Sequence, residues 1–346
     1  MINLDKIIAQ ANLKKASDIH LMVDSKPIYR IGNALVKMET EEILTNEDLY
    51  EIYNYITKEN LPKKKIANEK KSKNIVYKYK EMDLDVNISF ANKVPTYTMK
   101  ILRNELPLYE DLNIPDVVRK MTHQTQGIIL VTGAKKTGKT TTLNALMRHI
   151  NETQNKKIIT LEKSIEFKHK SRNSIIVQKE VGEEKDFLTY YDGAKNTLEE
   201  DCDVVVIGEI KDRRTMQVAF DIAESGRLVI AVLNTKTCTE TLEKIINFYN
   251  EDEQNQIKYL IKTQLKLIIS QRLVLGTKEK VELVPEVLVL DNKSSENGSI
   301  SILNSVAKLF VEDKITLKQA KAELDEKDRE MLHKIIMKMQ IKKGKI

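Results

Sequence analysis

Gly127-Ile128-Ile129-Leu130-Val131-Thr132-Gly133-Ala134-Lys135-Lys136-Thr137-Gly138-Lys139-Thr140 is the stretch on which the fold turns. Its first half is an apolar strand, its second half satisfies G-x-x-x-x-G-K-[ST] in full, and a helical pattern follows from Thr140 to Ile150. Gly133 and Gly138 let the main chain curl until successive N–H groups face a phosphate, and the helix N-terminus adds its partial positive charge. In that geometry Lys139 reaches the β- and γ-phosphates and the Thr140 hydroxyl ligates Mg²⁺. Ala134, Lys135, Lys136, Thr137 and Thr141 complete the expected nucleotide contact. The two lysines inside the loop are unusual there and add positive charge near the phosphates.

Downstream, apolar runs at residues 157–161, 174–178, 204–208 and 228–233 alternate with helical patterns. Such alternation predicts an α/β domain with a largely parallel sheet, whose ligands collect at the carboxyl ends of the strands. Asp203-Val204-Val205-Val206-Ile207-Gly208-Glu209 ends one strand in an acid, placing Glu209 where a carboxylate holds Mg²⁺ or orients water. Glu162 and Glu166 follow another strand; from composition alone a site role and an ordinary surface role are equally open. Residues 252–273 carry apolar positions at helical spacing and predict a long amphipathic helix. Residues 291–301 read as a polar loop and 316–346 as a charged helix. From Met331 onward that helix has five lysines and no acid, which fits either a solvated end or a contact with an anionic membrane or partner.

Upstream, residues 2–11 read as an amphipathic helix and 17–23 as a half-buried strand. A hairpin follows around Gly32-Asn33, then a helix at 47–58, a lysine-rich connector at 63–73, and strands at 75–80, 84–90 and 96–102. The expected organisation is an α+β domain over 1–103, a proline-broken linker over 104–118, and the larger domain over 119–346.

With 346 residues, 57 bases, 51 acids and a net charge of +6, the chain reads as a soluble two-domain protein without a basic surface for nucleic acid. No apolar run approaches membrane-spanning length and the start lacks a secretory pattern, so a cytoplasmic location is expected. Cys202 and Cys238 form no metal-ligand spacing and read as buried apolar residues.

Taken together, the motifs resemble the secretion ATPase superfamily and, within it, the PilT-like pilus retraction ATPases of twitching motility, from about residue 5 to 290. The resemblance rests on Ala16-Ser17-Asp18-Ile19-His20-Leu21, the phosphate loop, Thr160-Leu161-Glu162-Lys163-Ser164-Ile165-Glu166-Phe167, Gln178-Lys179-Glu180-Val181-Gly182, Gly208-Glu209, Ala223-Glu224-Ser225-Gly226 and Ile268-Ile269-Ser270-Gln271-Arg272-Leu273. It implies a PAS-like N-terminal domain, a RecA-like P-loop ATPase domain, and a homo-hexameric ring at the inner face of the cell membrane. It further implies that ATP and Mg²⁺ drive retraction through an inner-membrane platform protein, with a paralogous pilus ATPase as a further partner. By position, Glu166 would be the catalytic glutamate that polarises water, Glu209 the acid near Mg²⁺, Glu162 a second acid of the same box, and Arg103 a nucleotide or intersubunit contact.

The chain departs from the family pattern at several of these places. Lys163 and Ser164 replace an aspartate and a proline, Arg227 and Asn234 stand where two histidines are expected, and Lys195, Glu199 and Asp85 stand where arginines are expected. Residues 305–312 keep only a faint trace of the retraction motif. A nucleotide-binding accessory ring subunit with weak hydrolysis, and a pilus-extension or type II secretion motor, are the alternative readings.

Overall fold

Every second side chain is buried along the strand Met82–Ala91, at Leu84, Val86 and Ile88. This period of two organises the first of the two units, Met1–Glu105 and Leu106–Ile346, into which the chain divides in the computed structural model. The structure describes residues 3–14, 16–31, 34–68, 72–80, 82–102, 108–277, 280–290 and 298–342.

The first unit runs α1 (Leu4–Leu13), β1 (Asp18–Leu21), β2 (Ile28–Ile31), β3 (Ala34–Lys37), α2 (Asn46–Thr57), α3 (Lys63–Ala67), β4 (Lys73–Tyr79), β5 (Met82–Ala91) and β6 (Val94–Leu102). Its strands form an antiparallel sheet in the order β3-β2-β1-β6-β5-β4. Ile7 and Ile8 of α1 and Leu49, Ile52 and Tyr53 of α2 share one core with Ile19, Tyr97 and Met99 of the sheet. Thr45 starts α2 with a reciprocal capping box to Asp48, which explains why that helix begins where it does. The lysine-rich connector is more structured than its composition suggests. Ile66 is fully buried, and burying it folds Lys63–Ala67 into helix α3. The Gly32-Asn33 turn and Arg103 lie outside the described residues.

The second unit opens with a 3-10 turn (Tyr109–Leu112) and continues through α4 (Asp116–Met121), β7 (Gly127–Gly133), α5 (Lys139–Thr153), β8 (Lys157–Glu162), β9 (Ile175–Glu180) and α6 (Tyr190–Thr197). Next come β10 (Val204–Ile207), α7 (Arg213–Glu224), β11 (Leu228–Leu233), α8 (Cys238–Asn247), α9 (Gln254–Gln264), β12 (Leu265–Leu275) and β13 (Val281–Val289). The C-terminal helices are α10 (Ile302–Val311), α11 (Leu317–Ala322) and α12 (Glu326–Lys342). The sheet order is β13-β12-β7-β11-β10-β8-β9, parallel except for the β12–β13 pair. In β7, Ile128 and Leu130 pack with α7, α8 and α9, whereas Ile129 and Val131 pack with α5 on the opposite face. A strand buried on both faces is continuously apolar, as its sequence shows.

Three expectations are corrected here. The helix expected over residues 252–273 ends at Gln264, and Leu265–Leu275 is a strand paired with β7 and β13. A doubly buried strand leaves no alternation by which to tell it from a helix continuing the same apolar run. Part of the expected linker over 104–118 is core: Tyr109, Ile114 and Val118 are buried in the second unit. The tail is two helices rather than one, because α11 stops at Ala322 and α12 begins at Glu326. Residues 291–297 of the expected polar loop are outside the described set, while Ile300 pairs with Val287. Both cysteines are buried and free.

Candidate nucleotide site

The parallel strands β7, β8, β10 and β11 end side by side, so the residues just beyond them share one edge of the sheet. At the end of β7, Gly133 has φ +144°, and a Cβ there would collide with Thr137 Oγ1 and lie 2.7 Å from the Gln271 carbonyl. Gly138 has φ +83°, a left-handed value that caps α5. The loop therefore needs glycine at both places, for space at Gly133 and for backbone conformation at Gly138, which fits a phosphate approached by bare main chain. Lys136 also takes positive φ, at 67°.

Lys139 Nζ donates to the carbonyls of Gly133 at 2.9 Å and Ala134 at 2.6 Å. Burial lowers the pKa of this ammonium, and the negative charge of Glu209 opposes that shift. Glu209 itself is held on both oxygens: Asn234 Nδ2 donates to Oε1 at 2.5 Å and Lys211 pairs with Oε2 at 3.1 Å. Asn234 follows β11, the neighbour of β10, so adjacency of the two strands brings this pair together. On the β8 side of Glu209, Gly208 admits no side chain, because a Cβ would lie 2.8 Å from the Leu161 carbonyl and 3.2 Å from the Tyr190 hydroxyl. Burial, with the charges of Glu209 and Glu162, pushes the Tyr190 phenol up to about 12.

Glu162, at the end of β8, is buried and accepts from Thr160 Oγ1 at 2.7 Å and Gln178 Nε2 at 2.9 Å. Burial raises its pKa; these two hydrogen bonds oppose the shift, and the charges of Glu166 and Glu180 add to it. The segment carrying Glu166 is pinned to β9 at alternate residues. Ile165 N donates to Glu180 Oε1 at 3.1 Å, Gln178 Nε2 donates to Phe167 O at 2.9 Å, and His169 N donates to Gln178 Oε1 at 2.9 Å. His169 Nε2 lies 2.7 Å from Asn144 Oδ1 on α5, and Asn144 Nδ2 donates to Thr140 O at 2.9 Å. The amide thus presents its oxygen to the imidazole, which carries its proton on Nε2. The segment that bears one expected acid is in this way tied to the first turn of the helix that bears the phosphate loop.

Lys139 with Glu209, and Glu162 with Glu166, are the expected site residues that this arrangement brings together. Asn144, His169, Tyr190 and Lys211 carry no motif, and the roles of Gln178 and Glu180 come from the β8–β9 register, which pairs Thr160 with Gln178 and Glu162 with Glu180. Arg227 is a structural clamp, donating to the carbonyls of Leu198, Glu200 and Cys202. Lys195 and Glu199 are exposed.

A sequence profile of type II/IV secretion system proteins matches residues 1–300. The type IV pilus ATPase PilU of Pseudomonas aeruginosa is 28% identical over 260 residues, spanning 69% of this chain and 68% of that protein. The type IV pilus retraction ATPase PilT of the same organism is 25% identical over 283 residues, spanning 79% and 78%. Among solved structures, the pilus retraction motor PilT with bound ADP aligns with a TM-score of 0.80 at 27% identity, covering 95% of this chain and 99% of that one. The Legionella pneumophila ATPase DotB shares the fold, with a TM-score of 0.84 at 22% identity, over 92% of this chain and 94% of that one.

Proposed function

Because the chain belongs to the type II/IV secretion system protein family, we propose that this PilT-like ATPase works as a hexameric ring that converts ATP hydrolysis into pilus retraction. The observation that carries the reading is the convergence at one sheet edge of a phosphate cradle, Lys139, the doubly held Glu209 and the pinned Glu166 segment.

The amides of residues 133–141 bind the phosphates, and Lys139 exchanges its two carbonyl partners for phosphate oxygens. Thr140 and Glu209 are the residues that would hold Mg²⁺, which when bound neutralises charge on the phosphate oxygens. Glu166 orients the attacking water and takes its proton as the bond to the leaving ADP breaks. Glu162, whose pKa is raised by burial, is the second acid of the same box. In the ring, Arg103 reaches nucleotide or the neighbouring subunit, and the inner-membrane platform protein receives the motion. Among the described residues no helix is long and apolar enough to cross a membrane.

Phosphate release by the purified full chain, compared with Lys139→Ala, tests the reading. The expected outcome is a loss of about 10³-fold in the variant, the scale of removing a principal charge stabiliser. Turnover in the native chain no higher than in the variant would end the motor reading. An accessory ring subunit with weak hydrolysis would then take its place, a reading favoured by the non-titrating Asn234 on Glu209. In cells, deletion that leaves surplus surface pili supports retraction, and deletion that removes pili supports extension.

A further inference from the structure

Away from the nucleotide site, the second unit holds a cavity of about 690 Å³ between α10, α12, the middle of β13 and the turn at Asn113 and Pro115. Pro115, Pro285, Ile300, Ile335 and Met339 make its lining largely apolar, and Lys308 and Lys338 stand at it without an acidic residue in the lining. Both lysines are exposed, and among the described residues neither has an ion-pair partner. The volume falls in the range of small-molecule sites, roughly 300–1,000 Å³. Beside the cavity, α12 turns Met331 and Met337 outward, at 39% and 49% exposure, together with Lys334, and Ile341, 59% exposed, stands with Lys338 at the cavity mouth. Apolar side chains interleaved with lysines on an exposed helix are the composition of a surface that rests in a bilayer interface.

We propose that this cavity takes the acyl chain of an anionic membrane lipid, with Lys308 and Lys338 on its headgroup and the outer face of α12 against the bilayer. The apolar lining behind two lysines selects this occupant, because an acyl chain covers the apolar wall while its anionic headgroup meets both ammonium groups. The site makes no use of the nucleotide residues, so its test is independent of the motor reading.

The experiment uses the full chain without nucleotide and vesicles of phosphatidylcholine alone or mixed with phosphatidylglycerol. Co-sedimentation with the anionic vesicles only, weakened by salt, is expected. Lys308→Glu with Lys338→Glu should reduce the bound fraction about tenfold or more, since each lysine near an anionic surface contributes at this scale. Circular dichroism verifies that reversing these two exposed charges preserves the fold. The chain has no tryptophan, so Ile341→Trp in the otherwise native chain adds a single reporter whose emission should shift to the blue and be quenched by chain-brominated phosphatidylglycerol. Equal binding to neutral vesicles, undiminished binding by the charge-reversed variant, or an unquenched reporter on bound protein would each overturn the proposal. Displacement from vesicles by glycerol phosphate would also overturn it, by assigning the lysines to a free phosphate. So would an acidic peptide that binds the native chain while vesicles do not.

Discussion

Glu209 owes its orientation to an amide and an ammonium, one on each carboxylate oxygen. Removing the amide with Asn234→Ala should lower kcat about 10- to 100-fold while leaving KM nearly unchanged, because hydrogen bonds to charged groups contribute about 1.5–3 kcal/mol. Steady-state phosphate release measures it. His169 makes a second prediction through its titration. Burial, with Arg148 nearby, lowers its pKa from 6.5 to about 4, so the fold favours the neutral ring. A depressed folded pKa contributes stability that is complete above pH 6.5 and lost as pH falls through about 4. Between neutral pH and pH 4 the native chain should therefore lose about 3 kcal/mol more than His169→Gln, as read from urea unfolding at both values. Lys139 was legible in the sequence because the phosphate loop is local in the chain, and Glu209 because it ends an apolar strand. Gln178, Glu180 and Asn144 were not, since each acts through a neighbour that only the sheet register or a helix contact supplies. Arg103 lies outside the described residues.

At the scale of elements, the strands whose faces differ were readable and the strand with two buried faces was not. Leu84, Val86 and Ile88 announce β5 by alternation, whereas Leu265, Leu267, Ile268 and Ile269 read as the continuation of α9. Their strand identity comes from insertion between β7 and β13, which is a tertiary fact. Likewise Ile66 folds α3 out of a lysine run, because one buried side chain outweighs its exposed neighbours. Ile269 is fully buried in β12, so Ile269→Ala should destabilise the second unit by about 2–4 kcal/mol. Leu275, 57% exposed at the end of the same strand, should tolerate alanine within about 0.5 kcal/mol. Chemical denaturation midpoints of the two variants check the contrast.

For the molecule as a whole, the division into units was visible as a change from alternating strands to apolar runs interspersed with helices. Its exact seam was less visible, since Tyr109 and Ile114 look like linker and pack as core. The first unit has a core drawn wholly from its own residues. A polypeptide of residues 1–105 should accordingly fold alone, with a cooperative thermal transition by circular dichroism and dispersed amide resonances. The second unit has no such early closure. β7, which leads into the phosphate loop, lies between β11 and β12, and both are encoded far downstream of it. During synthesis this doubly buried strand leaves the ribosome with neither neighbour made; one edge stays unpaired until Leu233 emerges and the other until Gln271 does. Nascent chains of intermediate length are then the most aggregation-prone form this protein ever takes, and they set its demand for chaperones.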